Sequence, residues 1–399
     1  MSKQIQDAYI VAATRTPIGR SHKGYFKHTR PDTLLVRALQ SAMAQVPGLD
    51  PAAVEDIICG CAIPEAQQGL NIARVGAVLA GLPESVGGIT VNRFCASGLS
   101  AVAMAADRIR VGEADVMIAA GVESMSLVPM MGNTPSLSPT IFDGNHDIGI
   151  AYGMGLTAEK VAQQWKVSRE AQDAFAVESH RRAVAAMQSG AFRDEMTPVD
   201  IEERRLDLAT GEVRVSTRTV DLDEGARPDT TLEGLARLRT VFAARGTVTA
   251  GNSSQTSDGA GALILASEAA VKRFGLTPLA RFVSFAAKGV PPAIMGIGPI
   301  EAIPAALRVA GLRQDDMDWI ELNEAFAAQS LAVINTLGLD AAKVNPMGGA
   351  IALGHPLGAT GAIRSATVVH ALQRNRLRYG MVTMCVGMGQ GAAGIFERV

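Results

Sequence analysis

The sequence predicts an α/β fold made of two similar halves with a more polar region inserted between them. Short β-like apolar runs alternate with longer runs of helical period from residue 8 to about 120, and the alternation resumes at residue 279. The segment between these two stretches does not show this alternation of strand and helix patterns. A chain of 399 residues also exceeds what one hydrophobic core usually supports, so more than one packed unit is expected.

The first half shows strand and helix patterns in turn. Apolar runs predict strands over residues 8–13, 54–61, 89–91 and 115–120, and 3.6-residue periodicity predicts helices over 32–45, 71–80 and 96–110. Parallel strands need crossover connections, which are usually helices. The alternation therefore favours a mainly parallel sheet.

The middle of the chain is rich in Met, Pro, Asp, Glu and Arg, with helices predicted over 157–165 and 169–188, and a buried strand pattern returns at 261–266. We therefore divide the chain into an N-terminal half (1–124 plus 250–276), an inserted loop domain (125–249) and a C-terminal half (277–399). Val91-Asn92 and Val344-Asn345 open corresponding turns, each followed by a helix and then a buried strand. This shared order predicts an internal duplication.

Charge and cysteine content limit the class of function. The 37 Lys and Arg residues against 39 Asp and Glu give a net charge of -2, which argues against a nucleic-acid partner or a polybasic membrane surface. The 4 cysteines are too few for a disulfide framework, and the N-terminal segment is too polar for a secretory signal. We expect a reducing, cytoplasmic setting. The uncharged stretch 344–363 could span a bilayer by length, but its glycines and prolines indicate a loop-rich site without membrane insertion.

Cys95 is the first candidate for chemistry, because it lies where a strand pattern gives way to the small residues of a predicted helix. A thiol in the first turn of a helix faces unpaired N–H groups and the positive end of the helix dipole. Both favour the thiolate, lower the pKa of the cysteine and make it a nucleophile. The alternative is a small buried apolar residue.

His355 is the second candidate, in the glycine-rich segment Gly354-His355-Pro356. Proline disfavours a helix at the residue before it, and the glycines let a ligand approach the backbone. The histidine can therefore serve as a base or as an oxyanion donor near neutral pH. The remaining histidines lie in polar or helical surroundings and are interpreted as surface or capping residues: His22, His28, His146, His180 and His370.

Cys385 and Asn323 complete the candidates. Cys385 ends a strand pattern and enters a glycine-rich run, which is too near the C-terminus for a dinucleotide-binding unit and suits an oxyanion hole better. Asn323 follows the strand pattern 319–322; it could cap a helix beginning there, or its amide could hold a water against an oxyanion. Cys59 and Cys61 lack nearby partners for zinc, so no metal site is predicted.

These residues lie in five segments that together resemble the thiolase family across essentially the whole chain. The segments are VNRFCASGL (91–99), TVTAGNSS (247–254), NEAFA (323–327), GGAIALGHPLG (348–358) and CVGMGQG (385–391). The resemblance implies a thiolase-like fold, in which two duplicated halves form α-β-α-β-α layers and the inserted loop domain covers the substrate.

The resemblance also implies the chemistry. Cys95 would be the nucleophile, His355 would activate it and stabilise an oxyanion with a water held by Asn323, and Cys385 would be a second acid/base. The N–H groups of Cys95 and Gly387 would form another oxyanion hole. The reaction implied is CoA-dependent cleavage of a 3-oxoacyl-CoA to acetyl-CoA and a shortened acyl-CoA, and the reverse Claisen condensation.

The family pattern further implies how CoA and acyl-CoA bind. Contacts with CoA would come from Ser254, Ala250 and Arg227, and the reacting end would be lined by Met154, Met295 and Phe326. Without the resemblance, the methionines would be interpreted as core packing. CoA would be a substrate, with no tightly bound cofactor, and the protein would be a homodimer or homotetramer.

Departures from the family pattern bear on the substrate. Short-chain biosynthetic thiolases usually carry a histidine where this chain has Gly153, and segment 252–255 also differs from theirs. Segments 128–131 and 253–258 favour a degradative 3-oxoacyl-CoA thiolase. One alternative is an acetoacetyl-CoA-forming acetyltransferase. Another is a catalytically inactive acyl-CoA-binding relative, which the presence of both Cys95 and Cys385 disfavours.

Overall fold

The computed structural model describes residues 5–144 and 147–399. Its strands are β1 (Tyr9–Arg15), β2 (Gly19–Arg20), β3 (Asp56–Gly60), β4 (Ile89–Val91), β5 (Val116–Ser124), β6 (Val199–Leu206), β7 (Val213–Val220), β8 (Ser257–Ala266), β9 (Ala280–Gly289), β10 (Trp319–Leu322), β11 (Tyr379–Val386) and β12 (Gln390–Arg398). Its helices are α1 (Pro31–Ala44), α2 (Ile72–Leu79), α3 (Ser97–Arg110), α4 (Met154–Gln164), α5 (Arg169–Gln188), α6 (Leu232–Ala236), α7 (Glu268–Phe274), α8 (Gly298–Ala310), α9 (Ala327–Leu337), α10 (Ala350–Leu353) and α11 (Leu357–Asn375). His146, interpreted above as a surface or capping residue, lies outside the described residues.

The main sheet consists of two half-sheets with the same internal arrangement. The strand order is β10-β11-β12-β9-β1-β8-β5-β3-β4, and β1 joins β9 through Tyr9 and Ile10. Outward from this junction each half has two antiparallel pairings followed by a parallel one. A parallel bridge from Ile320 to Val344 takes the place of β4 in the C-terminal half. The predicted duplication is therefore visible in the sheet.

The prediction of a mainly parallel sheet is wrong. β3 pairs in parallel with β4 and β5, and β10 with β11, but β8 and β12 run antiparallel to both of their neighbours. At β12 the reason is local, since residues 387–389 alone connect it to β11 and so short a connection makes a hairpin. β8 returns beside β5 after the inserted region, and hydrophobic periodicity does not specify that direction.

Helices cover the half-sheets and separate them. α1 and α2 pack on the N-terminal half-sheet, and α8 packs on strands β9 and β12 of the other. α9 adds Val333 and Ile334 to the core formed with β10 and β11. α3 and α11 contact each other and strands of both half-sheets, and their side chains form the largest buried cluster. This arrangement is the predicted α-β-α-β-α layering.

The two central helices cross closely because small residues meet at the crossing. A methyl group on Gly98 of α3 would lie 2.6 Å from the backbone nitrogen of Ala362 on α11. Gly361 faces the backbone of α3 in the same way. Because the interior is close-packed, larger residues here would force the helices apart. The crossing brings together the N-terminal ends of both helices, which follow Cys95 and His355 in the chain.

The inserted region, which contains α4, α5, β6, β7 and α6, is tied to β1 by a buried ion pair network. Arg15 donates to Glu195 Oε1 at 2.6 Å and to the two carboxylate oxygens of Asp223 at 2.8 and 2.9 Å. All three side chains are buried, so removal of Arg15 would leave two unpaired charges in the interior. The domain boundaries at residues 125 and 249 stay predictions.

Among the described residues, one helical segment is long and apolar enough to cross a membrane, by length and composition alone. Pro292–Ala310, which combines a short 3₁₀ segment with α8, meets that criterion. However, Ala302, Ile303 and Ala306 of this segment pack in a core with strands β10, β11 and β12, as a core helix does. The uncharged stretch 344–363 is divided among turns, α10 and the beginning of α11.

Candidate active site

Cys95 lies in a tight turn between β4 and α3. Asn92 supports this turn, because its Oδ1 accepts a hydrogen bond from the Phe94 N–H at 2.8 Å and its Nδ2 donates to Ala62 O at 2.9 Å. Phe94 has a φ of 43°, a strained conformation for a bulky residue. Ser97 closes the turn by donating to Phe94 O at 2.7 Å. The surrounding bonds thus hold Cys95 at the N-terminal end of α3.

His355 is held through both ring nitrogens. Its Nδ1 lies 2.7 Å from Thr360 Oγ1, and the Thr360 hydroxyl donates to Pro356 O at 3.2 Å. Thr360 therefore accepts from Nδ1–H, which assigns the lone pair to Nε2. The Nδ2 of Asn323 lies 3.3 Å from that Nε2. A neutral imidazole with a basic Nε2 can accept a proton from a thiol.

Asn323 does not cap a helix, so that prediction is wrong. Its own N–H donates to Thr383 O at 2.9 Å, and α9 begins only at Ala327. The intervening residues are not helical, and Phe326 is extended and forms a bridge with Ser253. The Oδ1 of Asn323 is buried and has no hydrogen-bond partner among the described residues, which leaves an acceptor beside His355.

Cys385 approaches Cys95 from the hairpin between β11 and β12. The N–H of Gly387 and the N–H of Cys95 itself are directed at the Cys95 sulfur. The two thiols are near enough for a charge on Cys95 to raise the pKa of Cys385. Two thiols and two backbone donors therefore converge at one point.

Burial favours the neutral forms of these groups. It raises the pKa of Cys95 to about 12, although the two N–H groups act in the opposite direction, and it also raises the pKa of Cys385. Burial, aided by the positive charge of Arg364, lowers the pKa of His355 to about 3. The expectation that the helix end lowers the pKa of Cys95 is wrong, because desolvation outweighs the dipole. The resting pair is a neutral thiol and a neutral imidazole.

Apolar side chains surround the second thiol. Met295 and Phe326 belong to the same buried cluster as Cys385, and the half-buried Met154 packs against it. Met154 also reaches the hairpin, because its sulfur would lie 3.7 Å from a methyl group on Gly387. The three residues expected at the reacting end are thus brought together there.

The other expected CoA contacts lie further out. The N–H of Ser254 donates to Ala325 O at 2.9 Å, next to the apolar cluster, whereas Ala250 and Arg227 are exposed. The N–H of Arg227 donates to Nδ1 of His180 at 3.1 Å. His180 is buried, so its interpretation as a surface or capping residue is wrong.

Sequence reasoning missed two residues that contact the turns of the site. Thr360, which fixes the His355 ring, had no signal beyond its position five residues after it in the chain. Glu123 is buried and accepts hydrogen bonds from the N–H groups of Ala62 and Gly358, both at 2.8 Å. A signal for Glu123 did exist, because it is the one charged residue in the otherwise apolar or small strand β5.

Within residues 5–144 and 147–399, no three His, Cys, Asp or Glu side chains are grouped as a metal site would require. Cys59 and Cys61 are buried free thiols. The arrangement described above contains instead two thiols, a neutral imidazole and backbone N–H donors, which are groups that acyl transfer can use.

Comparisons with known proteins agree with this geometry. Residues 8–269 match the model of the thiolase N-terminal domain, and residues 276–398 match that of the thiolase C-terminal domain. The "3-ketoacyl-CoA thiolase" of Bacillus subtilis (strain 168) is 48% identical over 394 residues, covering 98% of this chain and 100% of the relative.

Two solved structures show the same fold. The dimeric peroxisomal thiolase of Saccharomyces cerevisiae has a TM-score of 0.89 at 40% identity, with 99% of this chain and 98% of that chain covered. Human mitochondrial 3-ketoacyl-CoA thiolase in complex with CoA has a TM-score of 0.87 at 39% identity, with the same coverage, 99% and 98%. The chain belongs to the thiolase family, and is therefore an acyltransferase.

Two buried histidines make the stability depend on pH. Burial lowers the pKa of His355 to about 3 and that of His180 to about 4, from an ordinary value of 6.5. Below pH 6.5 these two histidines therefore bind more protons in the unfolded chain than in the folded one, and their contribution to the free energy of unfolding falls as the pH falls towards 4. Buried carboxyl groups act in the opposite direction, because burial raises the pKa of Glu321 to about 7. We therefore expect the urea midpoint at pH 7 minus the midpoint at pH 5 to be lower in His180→Gln than in the wild-type protein.

The matched control for this experiment is His28→Gln, because His28 is exposed. It should show the same dependence on pH as the wild-type protein. If His180→Gln kept the full wild-type difference between pH 5 and pH 7, the assignment of a neutral, buried His180 would be contradicted.

Proposed function

We propose that the protein catalyses CoA-dependent cleavage of 3-oxoacyl-CoA to acetyl-CoA and an acyl-CoA two carbons shorter, through an acyl group on Cys95. The observation that carries the proposal is the convergence of the Cys95 and Cys385 thiols with the N–H groups of Cys95 and Gly387. A single nucleophile would suffice for simple hydrolysis. A second buried thiol supplies the proton that cleavage of a carbon–carbon bond requires.

In the first half-reaction, Nε2 of His355 takes the Cys95 proton while the sulfur attacks the C3 carbonyl carbon of the substrate. The resulting oxyanion is stabilised by the protonated His355 and by a water bound to Asn323, whose buried Oδ1 has a free acceptor position. The C2–C3 bond then breaks, and Cys385 protonates C2 of the departing acetyl-CoA. The carbonyl of the acyl group left on Cys95 accepts from the Cys95 and Gly387 N–H groups.

In the second half-reaction, the thiol of a new CoA attacks the acyl group on Cys95. The Cys385 thiolate left by the first step takes the CoA proton. The bond between Cys95 and the acyl group then breaks, and the protonated His355 returns its proton to the Cys95 sulfur, so that both cysteines are thiols and His355 is neutral again at the end. All steps are reversible, and the reverse direction is a Claisen condensation.

CoA binding in this proposal places the pantetheine beside Ser254 and Ala250 and the adenine end near Arg227. The acyl group and the reacting thioester lie against Met154, Met295 and Phe326. Support comes from the clustering of these three residues around Cys385, and from the CoA named with the human structure of the same fold. CoA acts as substrate, and the chemistry calls for no tightly bound cofactor.

The preferred substrates are 3-oxoacyl-CoA chains longer than acetoacetyl-CoA. Support comes from Gly153, which precedes Met154 and stands where short-chain biosynthetic thiolases usually carry a histidine. It is exposed, and a methyl group added there would meet no atom within 4 Å. The alternative is an acetyl-CoA C-acetyltransferase that forms acetoacetyl-CoA.

We also propose that the protein is a homodimer associated through the β4 edge of the sheet. β4 is the last strand of its half-sheet, so its outer backbone groups lack a neighbouring strand. Leu70 is 96% exposed, and Val78, Leu79 and Ile89 are also exposed near this edge. Exposed apolar side chains beside an unpaired strand edge are typical of an interface. The yeast thiolase of similar structure is dimeric, and two such dimers could form a tetramer.

We also propose that the protein is located in the cytoplasm. The mechanism needs Cys95 and Cys385 as thiols, and a reducing compartment keeps them in that form.

The roles of the two thiols can be separated by substitution. Cys95→Ser should abolish acyl-enzyme formation, because the hydroxyl is a far weaker nucleophile. Cys385→Ser should retain slow acylation but lose condensation, because its acid/base group is missing. Mass spectrometry of intact protein and of peptides after mixing with acetyl-CoA measures both effects. An acyl adduct on a residue other than Cys95 would refute the assignment.

Chain-length preference can be tested at Gly153. We expect the wild-type kcat/KM to be higher for 3-oxodecanoyl-CoA than for acetoacetyl-CoA, and Gly153→His to lower that ratio about 10-fold by placing beside Met154 the side chain usual in short-chain thiolases. Gln188→His, on an exposed position of α5, is the control and should keep the wild-type ratio. Activity restricted to acetoacetyl-CoA would support the acetyltransferase alternative.

The dimer interface can be tested by charge. The double variant Leu70→Asp with Ile89→Lys should convert the wild-type dimer, or tetramer, to smaller species, because it places charges in a desolvated surface. Light scattering coupled to size-exclusion chromatography measures the mass. Leu208→Lys, at a 90% exposed position on the connection between β6 and β7, is the control and should leave the mass unchanged. An unchanged mass for the double variant would exclude this interface.

A further inference from the structure

Glu123, at the end of β5, is a buried carboxylate whose partners are four N–H groups and, at 3.8 Å, the Cys61 thiol. It is 1% exposed. It accepts hydrogen bonds from the backbone N–H groups of Ala62 at 2.8 Å, Ile63 at 3.3 Å and Gly358 at 2.8 Å, and from Nε2 of Gln68 at 2.5 Å. No Lys or Arg pairs with it among the ion pairs of the described residues. A buried charge held by donors alone is expensive to maintain, which raises the question of what it does.

One set of these bonds leads to the nucleophile. The Ala62 peptide donates its N–H to Glu123, and its carbonyl accepts from Nδ2 of Asn92 at 2.9 Å. Oδ1 of the same Asn92 accepts from the N–H of Phe94, the strained residue next to Cys95. Glu123 is thus connected to the Cys95 turn through one peptide and one side chain.

The other bond leads to the base. Gly358 lies in the first turn of α11, three residues after His355, and its N–H points at Glu123. A methyl group on Gly358 would lie 2.6 Å from the nitrogen of Ala62 and 2.8 Å from Oε2 of Glu123. The peptides on either side of the carboxylate are therefore in direct contact and leave no room for adjustment.

We propose that Glu123 is a positioning residue that holds the Cys95 turn and the His355 loop in the register needed for proton transfer between them. This proposal rests on the function proposed above, in which His355 takes the Cys95 proton. Oε2 of Glu123 alone accepts from both segments, through the N–H groups of Ala62 and Gly358, while Oε1 accepts from Ile63 N–H and Gln68 Nε2. A neutral amide cannot satisfy all four donors, since its NH2 group would face two of them in either orientation.

The charge of Glu123 also acts on the nucleophile. Burial is the main cause of the raised pKa of Cys95, and the negative charge of Glu123 raises it further. Glu123 acts on Cys59 and Cys61 in the same direction, while the charged neighbour of His355 is Arg364. The position of Glu123 therefore affects kcat, and its charge affects the pKa of Cys95. A residue that only supports the fold would not change both.

The experiment compares Glu123→Gln, Glu123→Asp and Asp258→Asn with the wild-type enzyme. For each folded variant, kcat for thiolysis and the pH midpoint of Cys95 alkylation by iodoacetamide, located by peptide mass spectrometry, are measured. Asp258 is the matched control, because it too is a buried carboxylate bound by donors, namely Ser124 Oγ at 3.3 Å, Ser126 N–H at 2.8 Å and Ser126 Oγ at 2.5 Å.

Glu123→Gln should lower kcat on the order of 10²-fold, the effect of a small misplacement of reacting groups, and should move the alkylation midpoint to lower pH. Glu123→Asp keeps the charge but is too short to reach both segments. It should lower kcat without moving the midpoint to lower pH, which also keeps the test informative if Glu123→Gln does not fold. Asp258→Asn should leave both quantities within about twofold or a few tenths of a pH unit of wild type.

The proposal is overturned if folded Glu123→Gln keeps the wild-type kcat and midpoint, or if Asp258→Asn reproduces its changes. Failure of the proposed function gives a different result. In that case the wild-type protein itself shows no thiolysis of any 3-oxoacyl-CoA, whereas the alkylation midpoints still report whether Glu123 acts on Cys95.

Discussion

The close crossing of α3 and α11 is the contact on which the rest of the site depends. Gly98 and Gly361 let the two backbones approach to a distance that any side chain would prevent. Because Cys95 precedes one helix and His355 the other, this single crossing brings together the turns that carry Cys95 and His355, from positions 260 residues apart in the chain. The same crossing buries both groups between the two half-sheets.

Burial then determines how the site can work. Desolvation keeps the thiols and the imidazole neutral, so that no preformed thiolate is available and the proton must move as the bond forms. Under these conditions, the placement of the reacting groups matters more than the pKa of the Cys95 thiol. The bonds around the site fix that geometry, through Thr360 on the His355 ring, Asn92 on the Cys95 turn and Glu123 between the two segments.

The duplicated halves contribute different groups to one site. The N-terminal half supplies Cys95 and Glu123, and the C-terminal half supplies His355, Asn323 and Cys385. β5 and β11 occupy corresponding places in their half-sheets, yet near the same end one carries a carboxylate and the other a thiol. The inserted region adds Met154 at the edge of the apolar cluster. The two halves thus share one arrangement of strands but contribute different functional side chains to the site.

The sequence by itself determined most strands and helices of the two halves and their duplicated order, because periodicity and turn residues are local properties. It also singled out Cys95, His355 and Cys385, since thiols and a histidine in glycine-rich turns are uncommon. Only the tertiary structure decided the β6–β7 hairpin of the inserted region, the antiparallel course of β8, the non-helical backbone at Asn323, the direction of the Cys95 pKa and the place of Glu123. Each of these depends on desolvation or on contacts between residues distant in the chain, which no local pattern records.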